Sequence, residues 1–115
     1  MFRKCVAALI VIAPCLVSPA FALYGAIAYS PSTHRHGFTY NYYYLGDAEN
    51  DAIAYCDASD AVILTWSRNE WCALAVSDDG SYGYSSGVTQ ADAEALALSY
   101  CTGNAHIEVI VFSGD

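Results

Sequence analysis

The residues of this chain repeat. Ala26-Ile27-Ala28-Tyr29-Ser30 returns as Ala73-Leu74-Ala75-Val76-Ser77, 47 positions on. Ala48-Glu49 returns as Ala93-Glu94 and Tyr55-Cys56 as Tyr100-Cys101, both at a spacing of 45. Ala61-Val62-Ile63-Leu64 is echoed by Glu108-Val109-Ile110-Val111 at 47. Within 115 residues there is room for one core, so two copies must share it.

Each copy reads as strand, strand, helix, strand. In the first, Tyr24 to Ser30 is a short strand and Pro31 to Gly37 carries turn residues. From Phe38 to Tyr44 the residues alternate, with Phe38, Tyr40, Tyr42 and Tyr44 on one face and Thr39, Asn41 and Tyr43 on the other. Gly46-Asp47 opens a helix to Cys56, whose early acids Asp47, Glu49 and Asp51 suit the positive end of its dipole. Ala61 to Trp66 is an apolar, β-branched strand. In the second copy Cys72 to Ser77 is a strand, Asp78-Asp79-Gly80 a hairpin turn and Tyr82 to Ser86 the return strand. Thr89 is the expected N-cap of a helix with Ala93, Leu96, Ala97, Tyr100 and Cys101 on one stripe. Gly103 stops that helix, and His106 to Phe112 is the last strand. The reading predicts one α+β domain, residues 23–115, with repeats at about 24–66 and 72–112. It places the six strands in one antiparallel or mixed sheet with both helices on one face.

The first 22 residues read as a signal peptide. Arg3 and Lys4 precede an apolar run from Cys5 to Val17, and Ala20-Phe21-Ala22 is a small-x-small cleavage pattern. A lipoprotein site at Cys15 is disfavoured because Pro14 stands before it. After cleavage the chain keeps two basic residues, Arg35 and Arg68, and all twelve acids. That balance excludes phosphate-led nucleic-acid binding and docking on anionic lipid. The expectation is an exported protein, periplasmic or secreted. Its expected partner is a basic protein, drawn in by charge. Cys56, Cys72 and Cys101 are the disulfide candidates, with three pairings open. A Cys56–Cys101 bond would add about 4 kcal/mol on chain-entropy grounds. The alternative is three buried thiols acting as small hydrophobes.

Tyr24 to Ser30, the Ala/Glu-rich helices ending in Cys56 and Cys101, and Cys72-Ala73-Leu74-Ala75-Val76 leading into Tyr82-Gly83-Tyr84 resemble the bacterial domain of unknown function 4189. The resemblance covers nearly all of the chain after Ala22. It implies an exported bacterial domain and is mute about activity. Many members carry further cysteines just after each helix. Here 57–60 and 102–105 hold none, a departure from that arrangement.

Candidate chemistry is sparse. Gly83-Tyr84-Ser85-Ser86-Gly87 matches G-x-S-x-G, and Asp92 and His106 follow in hydrolase order, so a small serine hydrolase is one alternative. The chain is far too short for that fold's parallel sheet. His34 and His36, at i and i+2, are weak metal candidates without a third ligand at fixed spacing. Asp47, Glu49 and Asp51 begin like a calcium loop, but Ala52 and Ala58 occupy the positions that need glycine and glutamate. Glu108, between Ile107 and Val109, is the one acid in apolar company, and a hydrolase built on a carboxylate pair would use it. Its ordinary reading is an outward residue of a half-buried strand. No motif requires a cofactor. Tyr43, Trp71, Tyr82 and Tyr84 are the candidate binding residues, as an aromatic face for a protein or, alternatively, a cell-wall glycan.

Overall fold

The computed structural model describes residues 22–114. Apart from Ala22, the expected signal peptide lies outside the described residues. The elements run β1 (Tyr24–Tyr29), β2 (His36–Tyr42), α1 (Leu45–Cys56), β3 (Val62–Arg68), β4 (Trp71–Ser77), β5 (Tyr82–Gly87), α2 (Gln90–Ser99) and β6 (Ala105–Phe112). The two halves have the same strand–strand–helix–strand order, an α+β fold. No helix among the described residues is long and apolar enough to cross a membrane.

All pairing is antiparallel, but the six strands do not join into one sheet. They form two sheets of three, ordered β2-β1-β3 and β5-β4-β6. The reason lies in the central strands, which bury both faces. On β1, Ala26 and Ala28 lie under α1 with Ala48, Ala52 and Cys56. Ile27 and Tyr29 point the other way, onto Cys72 and Leu74 of β4 and Val109 and Val111 of β6. On β4, Ala73 and Ala75 lie under α2 with Ala93 and Ala97. The layers are therefore helix, sheet, sheet, helix, with the helices on opposite outer faces instead of on one. A single sheet has no second apolar face for Ile27 and Leu74, both fully buried. Burying each side chain contributes roughly 1.5–3 kcal/mol.

Each helix sits very close to its sheet. A Cβ at Gly37 would lie 2.2 Å from the Ala52 carbonyl oxygen, and one at Gly83 would lie 2.1 Å from that of Ala97. Small residues on both sides of the contact, alanine on the helix and glycine on the strand, permit this approach. It also trims the expected stripe of α2. Ala93 and Ala97 are buried, whereas Leu96 and Tyr100 are exposed because no space remains beneath the helix for them. Thr89 caps α2 as expected, its hydroxyl accepting from the Asp92 amide at 3.1 Å.

Strand pairing gives the true spacing of the copies. Ala26 and Ala73 are equivalent at 47, Thr39 and Ser85 at 46, Ala48 and Ala93 at 45, and Ile63 and Ile107 at 44. The second half loses a residue at each connection, so the echo of Ala61–Leu64 at Glu108–Val111 is not the structural match. Both sheets carry a bulge at one place. Leu64 is skipped between Ile63 and Thr65 against β1, and Glu108 between Ile107 and Val109 against β4.

The expected disulfide is absent. Cys56, Cys72 and Cys101 are free thiols. Cys56 packs under α1, Cys72 between the sheets and Cys101 under α2, so they occupy different layers. Burial pushes the Cys72 thiol up to about 11.

Candidate functional site

Ser85, Asp92 and His106 do not converge. Ser85 lies on β5, 6% exposed, and its hydroxyl donates to the Ala93 carbonyl of α2. Thr39, its equivalent on β2, donates to the Ala48 carbonyl of α1 at 2.9 Å. The serine is thus the second copy of a strand-to-helix tie. Asp92 stands in the first turn of α2, and His106 bonds Glu108. We expect Ser85→Ala and Thr39→Val each to lower the unfolding free energy by about 1 kcal/mol, and Ser85 to resist a serine-reactive phosphonate. Labelling of Ser85, or unequal effects of the two changes in urea titrations, would contradict the tie.

The seam between the halves carries the polar cluster. Skipped by the ladder, Glu108 leaves the ordinary alternation of β6 and reaches across to β2. Its Oε2 is 3.6 Å from His36 Nδ1 and its Oε1 is 3.1 Å from His106 Nε2. The positions equivalent to Glu108, His36 and His106 are Leu64, Tyr82 and Val62, two aliphatic side chains and a phenol. Nearby, a recess of about 160 Å³ opens between the two hairpin turns, lined by Tyr29, His34, Val76, Ser77, Gly80, Ser81 and Glu108. The His34 ring stacks on Tyr29, centroids 6.5 Å apart. All three histidines of the chain therefore gather at one end of the seam. Among the described residues, no three His, Cys, Asp or Glu are arranged to hold a metal ion. The pairing of His36 with Glu108 left no sequence signal beyond the acid's apolar company, because it joins strands of different halves.

The aromatic surface differs from the expected one. Tyr43 and Tyr84 are exposed. Tyr82 packs against the inter-sheet core with its ring 4.8 Å from Tyr29, and Trp71 packs beneath α2 with its ring 5.1 Å from Phe112. Asn41 adopts a left-handed backbone, φ 60°, beside an irregularity in the β1–β2 register. Past it the alternation shifts. Tyr42 leaves the side of Phe38 and Tyr40, packs against the α1 layer and donates to Asp51 at 2.7 Å. That bond, before burial, holds the Tyr42 hydroxyl well above the usual phenol range. The larger aromatic cluster lies where β2 turns into α1. Tyr24, Tyr43 and Tyr44, with Ala22, line an open recess of about 450 Å³. Trp66, 46% exposed, lies 6.3 Å from Tyr24. A smaller recess of about 340 Å³ is lined by Tyr82, Gly83, Tyr84 and Tyr100. Tyr24, Tyr44 and Trp66 carry no joint signal in the sequence, because they come from β1, the junction of β2 with α1, and β3.

Two aspartates pin the hairpin ends. Asp60 accepts from the Ser30 hydroxyl and, at 3.1 Å, from the Ser32 amide. Asp79 accepts from the Thr102 hydroxyl at 2.6 Å and the Ser81 hydroxyl at 2.7 Å. Chiefly through Ser30 and Thr102 respectively, both carboxyls are held below the usual aspartate range. Their contribution to stability is complete above the unfolded aspartate value, near 4, and is lost as pH falls toward the folded values. We expect urea midpoints to drop on acidification through that window, and Asp79→Asn to flatten the slope. An unchanged slope would show that Asp79 does not contribute.

Residues 24–110 match the model of a family described as Domain of unknown function (DUF4189). No curated protein and no solved structure matches the chain.

Proposed function

The chain belongs to the DUF4189 family, and from that premise we propose that it is an exported, non-enzymatic binding module that docks a basic protein segment on Tyr24, Tyr43, Tyr44 and Trp66. The carrying observation is exposure: Tyr43 is 66% and Tyr44 71% exposed, side by side at the open recess. Tyrosine faces attract lysine and arginine, at about 0.5–1 kcal/mol for each exposed contact. Asp47 follows in the first turn of α1, with Glu49 and Asp51 beyond it. Arg35, one of two arginines after Ala22, is bound to Asp57 at 3.0 Å. The acidic balance of the chain speeds encounter with a basic partner. An inhibitor or immunity-type role suits this form, and export rests on the amino-terminal pattern.

The test titrates the protein with a fluorescent peptide of alternating lysine and glycine. Binding should weaken at least tenfold between 50 and 300 mM salt, and at least tenfold in Tyr43→Ala/Tyr44→Ala with its unfolding midpoint kept. Equal binding by that variant would end the reading. The open tyrosine-lined recess also favours a second one, stacking on a cell-wall sugar. Salt-independent sedimentation with purified peptidoglycan, lost in the same variant, would select it.

A further inference from the structure

We propose that the recess between the two hairpins is a binding site for an alkylammonium group, with Glu108 as counter-ion, and that protonation of His36 and His106 closes it. This recess shares no lining residue with the aromatic one. The bulge is architecture, because both sheets have it at one register. Its occupant is not: the first half places Leu64 there, packed on the inter-sheet core, and the second places a carboxylate. His36 and His106 stand where the duplicate copy of each position has Tyr82 and Val62. Two of the three exchanges, Leu64 for Glu108 and Val62 for His106, set an ionisable group against an aliphatic one, and the third sets an imidazole against a phenol; packing does not require them.

The recess selects the ligand class. At about 160 Å³ it is smaller than sites for drug-sized molecules, roughly 300–1,000 Å³, and suits a few heavy atoms. It is lined by Glu108, by Tyr29 and His34, whose rings stack, and by Ser77 and Ser81 of the opposite hairpin. A carboxylate with an aromatic face beside it is the environment that stabilises an ammonium. An anion would meet Glu108 in a chain of net charge −8.

The histidines set the condition. Each Glu108 oxygen faces one imidazole, His36 from β2 and His106 from its own strand. Tyr29 of β1, beside Tyr82 of β5, and His34 of the first hairpin complete the titratable groups around it. Asp79 of the second hairpin is turned to Ser81 and Thr102. Neutral imidazoles leave the carboxylate charge available to a cation. Imidazolium groups at the same two positions neutralise it and repel the incomer.

The experiment is an NMR titration of the full chain with n-butylammonium chloride, with n-butanol as the uncharged control. At pH 8, saturable shifts are expected at the Ser77, Gly80 and Ser81 amides with the amine and not with the alcohol. Affinity should fall at least tenfold at pH 5, and this fall should shrink in His36→Gln/His106→Gln. Glu108→Leu, which installs the residue of the other half, should keep the fold and lose the shifts. Acetyl-Gly-Lys-Gly-amide separates a lysine side chain from a free amine, and saturation by either supports the site. Absence of saturation by both, equal shifts with butanol, or shifts that survive Glu108→Leu would overturn it.

Discussion

Gly83→Ala is expected to lower the unfolding free energy by about 3 kcal/mol or more, a large share of the roughly 5–15 kcal/mol available to a domain. A methyl group is all that is added. Its carbon would meet the Ala97 carbonyl oxygen at 2.1 Å and the Tyr100 Cβ at 2.8 Å. The first obstacle is helix backbone, which cannot rotate aside as a side chain does. Relief requires α2 to lift from the sheet, and lifting it opens the contacts of Ala73, Ala75, Ala93 and Ala97 together. The duplication supplies a replicate, because at Gly37 the added carbon meets the Ala52 carbonyl oxygen at 2.2 Å and the Cys56 amide at 2.4 Å. It also supplies a contrast. Gly46, near the start of α1, has nothing within 4 Å of its added carbon, so Gly46→Ala should stabilise by up to about 1 kcal/mol. Urea titrations of the three variants check this. A Gly83→Ala midpoint near that of the parent would mean that the helix-to-sheet distance is not held by glycine.

This close contact explains why the sequence reveals its architecture so readily. Ala26-x-Ala28, Ala48-x-x-x-Ala52-x-x-x-Cys56 and Gly37 recur as Ala73-x-Ala75, Ala93-x-x-x-Ala97-x-x-x-Cys101 and Gly83, since each helix-to-sheet contact demands small residues at the same places. Strands, helices, the Thr89 cap and the two-copy plan follow from such local patterns. What stayed hidden depends on long-range geometry. An alternating strand has two faces but no label saying which meets a helix and which meets another sheet, so Ile27 and Leu74 did not disclose the four-layer stack. The left-handed Asn41 moved Tyr42 to the other face, because asparagine tolerates that backbone without announcing it. Glu108 and His36 are far apart in the chain and meet only once the halves are stacked. The glycine-flanked motif around Ser85 has an architectural origin: Gly83 is required by α2, and Gly87 lies beside the Ala93 backbone.

The exchange at the bulge should be asymmetric. Leu64→Glu is expected to lower stability by about 3 kcal/mol, combining lost apolar burial with a carboxylate brought against the core. Leu64 packs on the cluster of Ile27, Tyr29, Cys72, Leu74, Val109 and Val111. Its neighbours at the positions of His36 and His106 are Tyr82 and Val62, so no imidazole stands there to receive the charge, and Arg68, which lines a recess with Leu64, is the basic side chain on that side. Glu108→Leu should be neutral or mildly stabilising, because Glu108 is 35% exposed and its contacts to His36 and His106 are partly solvated. If the two seams were interchangeable, both substitutions would shift the urea midpoint equally. Equal loss would mean that Glu108 is a structural element of the fold. A large loss for Leu64→Glu alone would show that the fold requires the bulge and not the acid. The reason the acid is present must then lie in what it binds.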